Sequence, residues 1–267
     1  MSESEPFKRN LFDRFVPVLL VATIALAFVV WVLWQRVNSI EKGGTATTAT
    51  TTTQAQGAEP IAELTDDQLK DAFDKAIIKF GKNDAKNVFI EVADPSCPFC
   101  HIAGGNNPEL AGEVGDRFKY KSAGGSYIPP VPEMKKLLDS GKASYAFFYK
   151  NGHGNGEMGT KALYCAFEQG KYWEAHDKLY SNAGYKLLNE TVRNDKAKSQ
   201  DLSDFLKGAV DAEILKICLD SGKFDQRLSE DESLSGSIGI TGTPGFYINT
   251  KNFAGAYGWE DMKASLQ

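Results

Sequence analysis

Asp94-Pro95-Ser96-Cys97-Pro98-Phe99-Cys100-His101 sets two cysteines two residues apart, just after Val88 to Ala93, a mostly apolar, β-prone run that reads as a buried strand. A thiol on the first turn of a helix points its sulfur at backbone N–H groups that lack an intrahelical acceptor, and the helix dipole favours a thiolate there. Cys97 occupies that place, and Pro98 at an early helical position forfeits no hydrogen bond. A sulfur of lowered pKa leaves a disulfide more readily, so the spacing fits reversible redox exchange between Cys97 and Cys100.

Other chemistries use the same residues. Cys97, Cys100 and His101 satisfy CxxCH, the attachment signal for c-type haem, but the motif opens a helix after a buried strand and no axial-ligand segment accompanies it. Zinc takes four ligands, whereas Cys165 and Cys218 form no second CxxC and the only histidines are His101, His153 and His176. A purely structural bridge across so short a loop restrains the unfolded chain little. No metal and no cofactor are expected.

Upstream, the chain is uncharged from Phe15 to Trp34, between Arg14 and Arg36. That length matches the roughly 20 residues needed to cross a bilayer core, and is long for a secretory signal. Residues 15–35 are therefore expected to form a transmembrane anchor. Lys8, Arg9 and Arg14 precede it and Arg36 and Lys42 follow, a bias that places residues 1–14 in the cytoplasm and the globular part outside. Trp31 and Trp34 suit an interfacial belt. Thr45 to Thr53 is all Thr and Ala and runs on to Gly57, too polar to fold, so 36–60 reads as a flexible linker. The balance of 30 Lys and Arg against 35 Asp and Glu, a net charge of -5, offers no broad cationic surface for nucleic acid.

Residues 61–267 of the 267 are expected to hold one α/β domain with a large insertion. Thr65 and Gln68 make a capping-box pattern, and Leu69, Phe73, Ile77 and Phe80 recur at helical spacing until Gly81. Pro108 to Arg117 and Pro132 to Leu138 read as short helices, and Ala143 to Tyr149 as a second strand. From Met158 to about Ser235 the pattern is helical, with Gly170, Gly184 and Gly222 as breaks and Asp201 and Asp211 as N-caps. Gly245 to Ile248 and Phe253 to Tyr257 read as a strand pair, and Trp259 to Leu266 as a closing helix. A hairpin is antiparallel and a crossover parallel, so the sheet should be mixed.

Phe89-Ile90-Glu91-Val92 leading to Cys97-Pro98-Phe99-Cys100, and Ile240-Thr241-Gly242-Thr243-Pro244-Gly245-Phe246-Tyr247 near the end, together resemble the DsbA-like branch of the thioredoxin superfamily. Between them, Cys165-Ala166, Gln169-Gly170-Lys171-Tyr172-Trp173, His176-Asp177 and Cys218 to Lys223 resemble that branch's helical insertion, here about 157–239. The resemblance implies a thioredoxin-like fold with an inserted all-helical subdomain, behind one transmembrane helix. It implies a cis bond before Pro244, with the Thr243 backbone beside the active sulfur to bind a substrate strand, and Pro98, Phe99 and His101 around the same contact. Glu91 would sit beneath Cys100 and relay its proton. A carboxyl in that strand should be desolvated and raised in pKa, unless it faces solvent. Asp94 reads as a turn residue. Phe99 departs from relatives with His between the cysteines, which removes one source of thiolate stabilisation. His101 either compensates through its charge or lies on the helix surface. Gly104 and Gly105 should kink or end the active-site helix. Trp173 and His176 read as packing and capping residues of the insertion. In an oxidising compartment the two leftover cysteines, Cys165 and Cys218, favour a structural disulfide; the alternative is two buried thiols that never meet.

The function implied is extracytoplasmic oxidation of reduced exported proteins, with reoxidation by a quinone-linked membrane protein of the DsbB or vitamin K epoxide reductase kind. A reductase or isomerase of the same fold is the nearest alternative, and a non-catalytic binding module the alternative of another class.

Overall fold

The computed structural model describes residues 63–267 and the single helical position Trp31. The expected cytoplasmic segment 1–14, anchor 15–35 and linker 36–60 otherwise lie outside the described residues, among which no helix is long and apolar enough to cross a membrane. All elements below belong to the unit Ala58–Gln267, into which the chain divides after Gly57.

Helix α1, Asp66–Lys75, opens on the expected capping box: the Gln68 N–H donates to the Thr65 hydroxyl at 3.2 Å and the Thr65 N–H to Gln68 Oε1 at 2.9 Å. It stops earlier than the apolar spacing predicts. Ile78–Phe80 is strand β1, paired antiparallel with β3, Ser144–Tyr149. Ile77 and Phe80 lie three apart, which fits a helix turn as well as a short edge strand; the free edge of β3 settles which forms.

Strand β2, Val88–Ala93, is the centre of a five-stranded sheet of order β1-β3-β2-β4-β5, in which β4 is Gly245–Ile248 and β5 is Lys251–Ala254. β2 runs parallel to β3 and antiparallel to β4, so the sheet is mixed. Every residue of β2, β3 and β4 is buried, as expected of strands covered on both faces. Phe89 and Ala93 join Tyr145, Phe147 and Tyr149 in the larger core, and Ile90 and Val92 join Phe73, Ala146 and Phe148 in the smaller one under α1. Alternation thus turns Glu91 towards the larger core. The last strand begins two residues earlier than predicted, because Asn249 at φ 55° turns the β4–β5 hairpin tightly.

The crossover from β2 to β3 carries helices α2, Pro98–Gly104; α3, Pro108–Val114; and α4, Pro130–Asp139. Between β3 and β4 lie α5, Glu157–Glu168; α6, Tyr172–Leu179; α7, Asn182–Lys186; α8, Ser199–Leu206; α9, Ala212–Ser221; and α10, Asp225–Ser237. Gly170 and Gly222 take left-handed backbone between helices, and Asp211 caps α9 through the Glu213 and Ile214 N–H groups. Two readings differ. Gly184 lies inside α7, where a Cβ would overlap the Leu179 carbonyl, and Asp201 falls in the first turn of α8 rather than at its cap. Cys165 of α5 and Cys218 of α9 are bonded, with Cα atoms 6.1 Å apart. α10 is tied to β3 by the buried Asp231, which accepts from the Tyr149 N–H at 3.0 Å and from the Tyr164 hydroxyl and pairs with Arg227. The chain closes with α11, Trp259–Met262, and a 3₁₀ turn over Lys263–Ser265.

Candidate active site

Cys97 is the N-cap of α2, with extended backbone at φ -78° and ψ 127°, and Pro98 follows as the first helical residue. The turn into it is closed by the Cys97 N–H donating to the Asp94 carbonyl at 2.9 Å. α2 is short because Gly105 takes φ 82°, a left-handed end where a Cβ would also press on Pro132 Cγ at 2.7 Å. Cys97 is 4% exposed and Cys100 fully buried, both as free thiols, while Phe99 is exposed and Pro98 half-buried beside them.

From 146 residues away the Thr243–Pro244 turn, with its peptide bond cis, brings the Thr243 carbonyl to 3.6 Å from Cys97 Sγ. Its hydroxyl is buried without a hydrogen-bond partner among the described residues. Cys97 is held down at a pKa of about 7, chiefly by the hydrogen bond of the Cys100 thiol; burial opposes this, and Thr243 and the N–H groups of Cys100 and Phe99 add to it. Burial, reinforced by the Cys97 sulfur, pushes Cys100 well above the usual thiol range, although the Asp94 N–H donates to Cys100 Sγ at 3.5 Å. The two sulfurs are therefore unequal: one a ready thiolate, the other a retained thiol.

Glu91 is fully buried on the face of β2 that carries the larger core, and its Oε2 accepts from the Tyr145 hydroxyl, itself 3.2 Å from that of Tyr172. Burial raises its pKa against the opposing pull of His176 and Tyr145. Its Oε1, the Tyr180 hydroxyl and His176 Nε2 are buried without a partner among the described residues. Burial also drives Tyr180 up, with the charges of Glu91 and Cys100 next in effect, so this ring lies within electrostatic reach of both.

His101 is neither of the things expected of it. It is fully buried, its Nε2 2.7 Å from the Pro95 carbonyl and its Nδ1 3.0 Å from the Tyr180 carbonyl, and its ring stacks on Tyr180 with centroids 5.0 Å apart. Burial lowers its pKa to about 4. A neutral, enclosed ring neither charges the thiolate nor meets a substrate, which corrects its placement at the substrate contact. The reason is α6, which delivers Tyr180 over α2 from the insertion. Trp173 and His176 of α6 pack against Phe80, Tyr172 and Tyr180. Asp94, read as a turn residue, is fully buried and accepts four hydrogen bonds, a role that only the β3–α5 loop reveals. Among the described residues no group of three or more His, Cys, Asp or Glu side chains could hold a metal ion.

A CxxC at the mouth of α2, a cis-proline turn against its first sulfur and a helical block between β3 and β4 define a thioredoxin-like fold of the DsbA-like layout. Residues 132–267, just over half of the chain, match the family model described as thioredoxin, and the chain belongs to that family. Na(+)/H(+) antiporter NhaA 3 of Salinispora tropica is 23% identical over 189 residues, 70% of this chain, which spans only 24% of the antiporter's length. Disulfide bond formation protein D of Bacillus subtilis is 22% identical over 196 residues, covering 70% of this chain and 74% of that protein. The crystal structure of oxidised BdbD from Bacillus subtilis superposes with a TM-score of 0.51 at 18% identity, covering 78% of this chain and 96% of that one.

Proposed function

We propose that this chain is an extracytoplasmic thiol–disulfide oxidoreductase that introduces disulfides into exported proteins through Cys97 and Cys100. One observation carries the reading: a sulfur with a pKa of about 7 at the mouth of a helix, 3.6 Å from the Thr243 carbonyl, above a buried partner thiol held well above the usual range. That inequality is what directional exchange needs. The name of the Bacillus subtilis relative, a disulfide bond formation protein, agrees with it.

In the oxidised enzyme a substrate thiolate attacks Cys97 Sγ, the Cys97–Cys100 bond breaks, and Cys100 departs as a thiolate that takes up a proton. The raised carboxyl of Glu91 is the buried group suited to hand that proton over. The Thr243 backbone pairs with the substrate strand, and Pro98 and the exposed Phe99 flank it. A second substrate thiolate then attacks the substrate's own sulfur in the mixed disulfide and releases Cys97 as a stable thiolate. Substrate gains a disulfide and the enzyme keeps two electrons. A quinone-linked membrane protein of the DsbB or vitamin K epoxide reductase kind removes them. The span 15–35 anchors the domain near it, and the linker 36–60 raises its effective concentration.

The opposite direction, as reductase or isomerase, is favoured by one value: a Cys97 pKa of about 7 matches the roughly 7 of thioredoxin rather than the roughly 3.5 of the strongest oxidant. Glutathione redox titration of the full chain decides, with Cys97→Ser as control. A potential nearer about -120 mV supports oxidation and one nearer about -270 mV supports reduction. No equilibration with glutathione would sink both.

A further inference from the structure

Asp94 does far more than a turn requires. An aspartate at a turn commonly accepts from the N–H two residues on, here Ser96 at 2.7 Å. The same Oδ1 also accepts from the Ser96 hydroxyl at 2.7 Å, and Oδ2 accepts from the Gly152 and His153 N–H groups, both at 2.8 Å. All four partners donate, the environment of an ionised carboxylate. The Ser96 hydroxyl in turn accepts from the Asn155 N–H at 3.1 Å, and Asn189, bonded to the Asn155 side chain, donates to the Ser96 carbonyl at 3.1 Å. The segment 151–156 between β3 and α5 is thus wound round one buried charge. Two glycines allow it to come so close: a Cβ on Gly156 would overlap Asp94 Oδ1, and one on Gly152 would overlap Thr243 Oγ1. Gly152 is therefore seated between the Asp94 carboxylate and the turn that carries the cis-proline.

We propose that Asp94 is the positioning residue of the active site: its carboxylate fixes the turn before Cys97 and, through the loop 151–156 and Gly152, sets Thr243 against the Cys97 sulfur. The inference rests on the oxidoreductase reading, because the register it controls is that between a bound substrate strand and the attacked sulfur. The elements involved come from three distant parts of the chain, after β2, after β3 and before β4, and each contributes one side of the contact.

Two variants of the full chain test it. Asp94→Asn keeps the volume but sets an amide N–H2 against groups that donate; Gly152→Ala leaves Asp94 intact and pushes on Thr243. Since a misplacement of about 1 Å costs on the order of 100-fold in rate, both should lower kcat/KM towards a dithiol peptide by at least about tenfold. Alkylation of Cys97 by iodoacetamide at pH 9, where the thiolate is fully formed and no substrate strand is aligned, should stay within about threefold, with Cys100 still protected. Peptide rates within about twofold of the parent in both variants, or alkylation that changes in proportion with exposure of Cys100, would overturn the proposal. If Asp94→Asn does not fold, Ser96→Ala, which removes one donor to the carboxylate and the acceptor of the Asn155 N–H, takes its place with the same supporting and overturning results. A parent chain that is inactive on the peptide overturns the oxidoreductase reading instead. Ultraviolet titration of the Cys97 thiolate, which needs no turnover, then decides for Asp94: a midpoint raised in the folded variants supports the link and an unmoved one refutes it.

Discussion

Replacing Glu91 by Gln should stabilise the protein at pH 8, leave it unchanged at pH 4, and slow turnover. The carboxyl is fully buried, with Oε2 accepting from Tyr145 and Oε1 lacking a partner among the described residues. Burial is the largest influence on it and raises its pKa from the ordinary 4.5. The folded state therefore holds the proton more tightly than the unfolded state. Stability is fully present below about pH 4.5 and is lost as pH rises through the folded value, because over that window the unfolded chain binds fewer protons. Gln mimics the protonated carboxyl: it still accepts from Tyr145, and like the acid it leaves one polar atom short of a partner, so that cost cancels at pH 4. What differs at pH 8 is the charge. Each unit by which burial lifts the folded pKa above the ordinary one costs the parent about 1.4 kcal/mol at pH 8, and the variant should be the more stable there by that amount per unit. Urea melts of the oxidised full chain measure it cleanly, since neither Cys97 nor Cys100 titrates in that form. Stopped-flow mixing with a dithiol peptide should show a slower first step, as Cys100 departs without its proton donor. An equal stability difference at both pH values, or a less stable variant at pH 8, would refute the reasoning: Glu91 would then be ionised in the fold and could not donate.

Three further outcomes are expected. In the reduced protein the pH profile of Cys97 alkylation should have its midpoint at about 7 against the ordinary 9.0, and, because the unfolded chain holds the proton more tightly, the reduced form should gain up to about 3 kcal/mol in urea melts as pH rises from 7 to 9. His101 is neutral in the fold with a pKa near 4, so acid should cost up to about 3 kcal/mol of stability between roughly pH 6.5 and 4, a slope absent in His101→Gln and measurable by melts across that range. Replacing both Cys165 and Cys218 by Ala removes a crosslink spanning 53 residues and should lower stability by up to about 4 kcal/mol, read as a fall in Tm, with the exchange rate of Cys97 at low temperature intact.

What the sequence made legible follows from where the information lies. The sulfur of Cys97 owes its place to its own neighbours, the strand before it, Pro98 after it and the open N-terminus of α2, so CxxC spacing alone pointed to the chemistry. The strand β1 was hidden because Ile77 and Phe80 satisfy helical spacing and only the unpaired edge of β3 recruits them. His101 departs from its expected place, and Asp94 does more than the turn expected of it, for a shared reason. Each sits within four residues of Cys97, yet its role is set by a segment far along the chain: the Tyr180 carbonyl from α6 for His101, the Gly152 and His153 N–H groups from the β3–α5 loop for Asp94. Nothing in local spacing encodes those partners.

The same division separates the two sulfurs. The thiolate of Cys97 draws on the helix mouth, on Cys100 three residues on and on Thr243, whereas the proton on Cys100 is kept first by burial beneath the folded whole. Polar replacements at Tyr180, the residue that caps the C-terminus of α6, should therefore act on Cys100 before they act on Cys97. Tyr180→Ser, which thins the cover over α2 while leaving the Tyr180 carbonyl in place, is expected to ease the titration of Cys100 and make the reduced pair more acidic overall, with Cys97 moved less. The measurement is the pair's thiolate titration. A shift confined to Cys97 would show that the cover contributes nothing to holding the second proton, and that the inequality of the sulfurs is local after all.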